Sequence, residues 1–212
     1  IGIGSLGDAI SYSLCLRQKE NDTYKKILSE FDWGFNSKVP KKACFELVAL
    51  KFIQQGENAL LIGSPGTGKS HIAQAITHAA IEAGYKVVYR EAHKLFEDLF
   101  EQTQLGNRKK MLQLFSDSDL LVIDDLFLRK KLPDDAGDEL QDIILNRYSD
   151  RKSTLITSNR VVDDWGTLLK DNAVSSAILD RLLHHGQLLK FSGKSYRLKE
   201  AASRLAKGKK SA

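Results

Sequence analysis

The chain has 212 residues, 42% of them hydrophobic and 28% charged, a mixture that excludes intrinsic disorder as the default and allows one ordinary core, as one domain or one domain with a short appendage. Lysine and arginine total 32 against 27 acidic residues, a net charge of +5, which is compatible with an anionic partner without establishing one. Cys15 and Cys44 are the only cysteines and stand far apart, so no disulfide framework or cysteine metal site is indicated, and a reducing cytoplasm fits.

The chain begins at Ile1, and Met111 is its single methionine, so the natural start is expected upstream. Residues 1–28 are assigned as an N-terminal arm left from a longer domain, with a polar stretch at 17–26 that admits a helix and no basic leader of the signal-peptide kind. Phe31, Trp33 and Phe35 then alternate, as a strand-like segment closing over a base or as a hydrophobic anchor, with anchoring favoured. Phe45, Val48, Leu50 and Phe52 predict one helix over 41–55, stopped at Gly56. Short apolar runs follow at 59–62, 87–89, 120–123, 155–156 and 188–191, each fitting a strand buried on both faces. Helical stretches lie between and beside them at 71–83, 94–102, 108–115, 138–148 and 174–185. This alternation predicts an α/β three-layer sandwich around a five-stranded parallel sheet. From 199 to 212 the chain reads as a basic, solvated tail with Arg204, Lys207, Lys209 and Lys210 among small residues. No apolar run approaches the roughly 18 residues of a membrane span.

Gly63, Ser64, Pro65, Gly66, Thr67, Gly68, Lys69 and Ser70 fit the P-loop pattern of two glycines four residues apart followed by Lys and Ser. The motif follows a predicted strand and opens a predicted helix, so backbone N–H groups and the helix N-terminus converge on the phosphates of a nucleotide such as ATP. Lys69 is expected at the β- and γ-phosphates and the Ser70 hydroxyl on Mg²⁺, with His71 next to them. The run 119–125 is an apolar strand ending in two acids. Asp124 is expected to hold Mg²⁺ through water, and Asp125 to orient or deprotonate the attacking water. Asn159 ends the fourth strand, where an amide faces the ligand crevice of a doubly wound sheet but also forms ordinary turns. Arg181 has no acid three or four residues away on its helix, so it is either a surface cation or a finger reaching a neighbouring subunit's γ-phosphate. The five histidines show no metal-binding spacing.

These residues resemble a known family. The stretch 62–99, Ile123-Asp124-Asp125-Leu126, the run 155–160, Asp164-Trp165-Gly166, the run 177–185 and Ser195-Tyr196-Arg197-Leu198-Lys199 together are similar to the IstB-like transposition helper ATPases, P-loop proteins of the AAA+ class. The likeness covers roughly residues 29 to 200 and implies an ATPase domain at 29–198. It implies that Asn159 is a sensor 1 residue and Arg181 an arginine finger. The family is related to the helicase loader DnaC and the initiator DnaA, which places a DNA-facing helical element at 93–115, with Lys94, Arg108, Lys109 and Lys110 available to phosphates. The implied partners are duplex DNA, a transposase encoded by the adjacent gene, and further copies of the chain in an ATP-dependent oligomer. The readings that compete are a DnaC-like helicase loader and a P-loop kinase for a small metabolite, which would need an acceptor pocket and a closing lid. Three departures stand out. Asp125 occupies the place of a longer Glu, which implies slow hydrolysis. Phe127 stands where the family is expected to have glycine, which bears on the local turn. The residues after Phe191 are too few for a full helical lid, so Arg197 is the candidate for the arginine that such a lid would carry.

Overall fold

The apolar runs form five strands: β1 (Asn58–Gly63), β2 (Val87–Glu91), β3 (Leu120–Leu126), β4 (Ser153–Ser158) and β5 (Gly186–Phe191). Each is longer than its apolar run, because flanking residues such as Asn58, Ser153 and Gly186 join the ladder. All pairings are parallel, in the order β2-β3-β4-β1-β5. Around them pack α1 (Lys41–Val48), α2 (Lys51–Gln54), α3 (Lys69–Glu82), α4 (Ala92–Gln104), α5 (Arg108–Asp117), α6 (Ala136–Ser149), α7 (Trp165–Leu169), α8 (Asn172–His184) and α9 (Tyr196–Gly208). The computed structural model describes residue 28, residues 31–128 and residues 132–208. The expected arm at 1–28, apart from Leu28, and Lys209 and Lys210 of the expected tail lie outside the described residues.

Successive side chains of a strand point to opposite faces, and the core divides accordingly. Leu60, Ile62, Leu121, Ile123 and Ile156 pack with α4, α5, α6 and α8 through residues such as Leu95, Phe115, Ile143 and Ile178. Ala59, Leu61, Leu120, Val122, Leu155 and Leu189 face the other way, onto Leu47, Phe52, Ile72 and Ile76 of α1, α2 and α3. The register Leu60↔Ile156 and Leu60↔Leu188 sets residues of one face side by side across three strands. Among the described residues no helix is long and apolar enough to cross a membrane.

Two expectations need correction. The single helix over 41–55 is broken at Leu50, which takes a left-handed φ of 63°. At about 100° per residue, Cys44, Leu47, Leu50, Phe52 and Ile53 would be spread around the whole circumference of one helix; the break lets both pieces bury theirs. The second concerns the end of the chain, where the basic segment from 199 is helical, as part of α9, with residues 199–205 almost all exposed. Good helix formers such as Leu198, Lys199, Glu200, Ala201 and Ala202 carry it, and Ser195 starts it by accepting from the Leu198 N–H with its Oγ, at 3.4 Å.

Both ends of the sheet are built from polar side chains. At the N-terminal ends of β3 and β4, Arg147 of α6 is 1% exposed and burial pulls its guanidinium below the usual arginine range. It donates to the carbonyls of Phe115, Ser116, Ser118 and Ser153 and to the hydroxyls of Ser118 and Thr154. The C-terminal ends of β1, β3 and β4 carry the P-loop, the acid pair and Asn159, as the crevice rule for open α/β sheets requires.

Candidate nucleotide site

The P-loop connects β1 to α3 and is closed on itself. Thr67 donates its hydroxyl to the Ser64 carbonyl at 2.7 Å, and Lys69, 5% exposed, donates to the carbonyls of Gly63 and Ser64 at 2.8 and 2.9 Å. Burial lowers the Lys69 pKa, opposed by Asp125 and Asp124. Gly66 and Gly68 have φ of 73° and 100°, values that L side chains rarely take. Each also lies against another segment: a Cβ on Gly66 would collide with the Ser195 side chain, and one on Gly68 with the Phe31 ring. Glycine here admits neighbours as well as phosphates.

β3 delivers the two acids into one hydrogen-bonded knot. Asp124, 4% exposed, accepts from the Thr157 hydroxyl through Oδ1 at 2.5 Å and from the Tyr89 hydroxyl through Oδ2 at 2.5 Å. The Asp125 N–H donates to Thr157 Oγ1 at 2.9 Å. Asp125 itself has φ 54° and Phe127 φ 66°, and the β3–β4 register slips between Ile123 and Leu126. That bulge turns the Asp125 side chain out of the ladder and into the crevice. Phe127 does take the backbone conformation that favours glycine, and its buried ring, edge-on to Trp165 with centroids 5.2 Å apart, holds it there. Burial raises the Asp125 pKa, helped by the Asp124 carboxylate and opposed by Lys69.

A cavity of about 320 Å³ opens over these groups, lined by residues 65–71 together with Phe31, Asp125, Asn159, Tyr196 and Arg197. Asn159 lines it, and its Oδ1 is buried without a hydrogen-bond partner, a cost that a donor such as a water O–H would remove. Phe31, Trp33 and Phe35 form no strand. They occupy a turn in which Trp33 stacks on Phe45 as an anchor, while Phe31 lies edge-on to His71, with centroids 5.5 Å apart, and Phe35 lines the cavity. The opposite rim comes from the C-terminal segment. The Tyr196 N–H donates to the Gly66 carbonyl at 2.9 Å, and the Asn36 amide exchanges two hydrogen bonds with the Lys194 backbone at 2.8 and 2.9 Å. Lys199 reaches back to Asp32 at 2.8 Å and lies over the Phe35 and Tyr196 rings. These contacts bring Arg197 close enough to depress the Lys69 pKa.

The residues present fit a nucleoside triphosphate with a divalent cation. The cradle supplies N–H donors, Lys69, Ser70, Asp125 and Asn159 line one cavity, and Asp124 is close enough to Lys69 to act on its charge. Of the residues singled out from sequence, those at 63–71, Asp124, Asp125 and Asn159 are brought together. Arg181 is not among the residues lining the cavity; it stays on α8, where its guanidinium donates to the Ala177 carbonyl at 2.8 Å. Lys94, Lys109 and Lys110 are exposed on α4 and α5. Arg108 corrects an expectation, because it is already taken by Glu139 at 3.0 and 2.9 Å and by Asp142 at 2.7 Å, which raise its pKa. Its charge clamps α5 to α6 rather than standing free for phosphate. Tyr89 and Thr157 went unrecognised in the sequence. The one available signal was that Thr157 lies two residues before Asn159 on the strand beside the acids.

Comparison with known proteins bears on family and fold. Residues 13–204 match the family model of IstB-like ATP binding proteins. An insertion sequence IS21 protein of Pseudomonas aeruginosa, designated as ATP-binding, is 36% identical over 175 residues, 82% of this chain and 65% of its own length. The chain thus spans slightly less than two thirds of that relative. Among solved structures, the DnaC helicase loader is similar with TM-score 0.60 and 24% identity over 72% of this chain and 88% of its own. A replication initiator DnaA bound to AMPPCP and single-stranded DNA is similar with TM-score 0.65 and 24% identity over 90% and 56% of the two chains. The shared fold is the AAA+ type, with its five-stranded parallel sheet.

Proposed function

The chain belongs to the family of IstB-like ATP-binding proteins, and from that premise we propose that it hydrolyses ATP, oligomerises on duplex DNA and assists the transposase of an insertion sequence. The observation that carries the ATPase reading is the convergence of Lys69, Ser70, Asp125 and Asn159 on one cavity, with the buried Asp124 next to Asp125 on β3. In this reading the P-loop N–H groups bind the phosphates, Lys69 leaves the Gly63 and Ser64 carbonyls for the β- and γ-phosphates, and Ser70 and Asp124 hold Mg²⁺, which supplies charge neutralisation between the phosphates. Asp125 takes the proton of the attacking water, for which its raised pKa suits it. Asn159 donates its amide to the γ-phosphate or that water. Arg197 enters from α9 as a second cation over the phosphates.

Arg181 does not line its own cavity, so in this reading its part is played at the next subunit. One working site then consists of a P-loop from one protomer and Arg181 from another. Lys94, Lys109 and Lys110 serve the phosphates of DNA, with Arg108 holding the helix pair that presents them. The test is ATP turnover with duplex DNA present. Lys69→Ala should weaken MgATP binding at least tenfold, about 1.4 kcal/mol, and Arg181→Ala should bind ATP but turn it over poorly. Mixing the two variants should restore part of the activity, because some interfaces pair an intact P-loop with an intact finger. A mixture that co-assembles and stays inactive removes Arg181 from the site.

A further inference from the structure

Asp124 sits in a more constrained setting than a metal-binding carboxylate at the end of a strand requires. Both of its oxygens accept from hydroxyls of neighbouring strands, Thr157 on β4 and Tyr89 on β2, each at 2.5 Å. Thr157 accepts the Asp125 N–H and donates its single proton to Asp124, which as a carboxylate only accepts. Tyr89 pairs in register with Val122, two residues before Asp124, so its side chain leans along the same face to reach the carboxylate diagonally. The ring is packed against the core face shared with α3. A hydroxyl that donates to an ionised carboxylate makes a charge-assisted hydrogen bond.

We propose that Tyr89, together with Thr157, is a positioning residue for the divalent cation: the two hydroxyls clamp the Asp124 carboxylate from both neighbouring strands and present its remaining lone pairs to the metal's water shell. A carboxylate offers about four acceptor sites. Two hydroxyls occupy two of them and leave two for metal-bound water. Mg²⁺ demands near-ideal octahedral geometry and keeps several waters, so a carboxylate free to rotate would lose metal affinity through disorder rather than through charge. Residues that orient a ligand in this way contribute to metal binding without touching the metal. Tyr89 also joins the metal end of the site to β2, which passes into α4 through the single residue Glu91 as its N-cap.

This inference rests on the nucleotide reading of the P-loop, and the experiment separates the two. Mn²⁺ is titrated into the full chain with ADP and followed by electron spin resonance, while a fluorescent ADP analogue is bound in parallel in EDTA. Tyr89→Phe keeps the ring and removes the hydroxyl. The expected result is a loss of about tenfold in Mn²⁺ affinity with metal-free nucleotide affinity unchanged, and Thr157→Val should act in the same direction. A Tyr89→Phe protein that binds Mn²⁺ as the parent does overturns the proposal and leaves the P-loop assignment standing. Tighter Mn²⁺ binding overturns it too, by making the hydroxyl a competitor of the metal. Equal losses with and without metal overturn it as a general structural effect. A parent chain that binds no Mn²⁺ with ADP overturns both the proposal and the nucleotide reading.

Discussion

Two asparagines mark the two ends of the sheet. Asn58, at the N-terminal end of β1, accepts from the Thr154 N–H at 2.9 Å and donates to the Leu182 carbonyl at 3.3 Å. Asn159, just past the C-terminal end of β4, has a buried Oδ1 with no partner. Arginines divide the same way. Arg147 has its guanidinium hydrogen-bonded to carbonyls and hydroxyls at one end, while Arg160 beyond β4 has a buried Nε without a partner at the other. Left-handed backbone occurs at both ends, at Arg151 as well as at Asp125 and Phe127, so strain alone does not distinguish them. Polar satisfaction distinguishes the two asparagines and the two arginines, although Ser116 Oγ at the N-terminal end and Trp165 Nε1, away from the cavity lining, are also buried without a partner. A fold can leave buried polar atoms unpaired where a ligand will pair them, and it closes its hydrogen bonds where nothing else will.

The comparison is broken or sharpened by substitution. Arg147→Met should have the largest effect on stability, about 4 kcal/mol in denaturant unfolding, because buried carbonyls lose their donor at once; ATP affinity of the folded protein should be unchanged. A loss below about 1 kcal/mol would mean that water or rearrangement satisfies that end as well.

The two asparagines give the direct contrast. Asn58→Ala should cost about 2–3 kcal/mol, since it strips the Thr154 N–H and the Leu182 carbonyl. Asn159→Ala should lie within about 0.5 kcal/mol of the parent or be more stable, since no partner in the free protein is lost, yet ATP turnover should fall. If both alanine variants unfold at the same reduced denaturant concentration, the satisfied and unsatisfied ends are not energetically different.

The smallest effect on stability is expected at Asp125. Its pKa is raised, chiefly by burial and then by Asp124, so the fold favours its protonated form. The associated stability is present at low pH and is lost as pH rises through the raised folded value. Asp125→Asn should therefore melt slightly above the parent at pH 7, with the difference vanishing near pH 4. Activity runs the other way: the parent's turnover should fall as pH drops through that raised value, above the ordinary 3.8 of the group, and the variant should lose about 100-fold or more at pH 7. A pH–rate profile with no acid limb, or an asparagine variant at the parent rate, removes Asp125 as the base.

What the sequence by itself determined is what depends on local order. Period-two burial, short apolar runs and the P-loop spacing are properties of neighbours along the chain, and they placed the five strands of the parallel sheet and, with them, the residues at the strands' C-terminal ends. The break at Leu50 needed the core, since it exists by packing, whereas the helix after Ser195 rests on local helix formers and the Ser195 cap, a local signal that the sequence reading passed over. Sequence also misjudged charge. Arg108 read as a free cation beside Lys109 and Lys110, and only the packing of α5 on α6 brought Glu139 and Asp142 to it. Arg147 carried no signal at all, because its partners are backbone carbonyls, which every residue possesses. Tyr89 and Thr157 were legible as strand residues and silent as neighbours of Asp124. Periodicity says which face a side chain occupies, but strand order and register decide what stands beside it, and the order β2-β3-β4 is what sets those two hydroxyls on either side of one carboxylate.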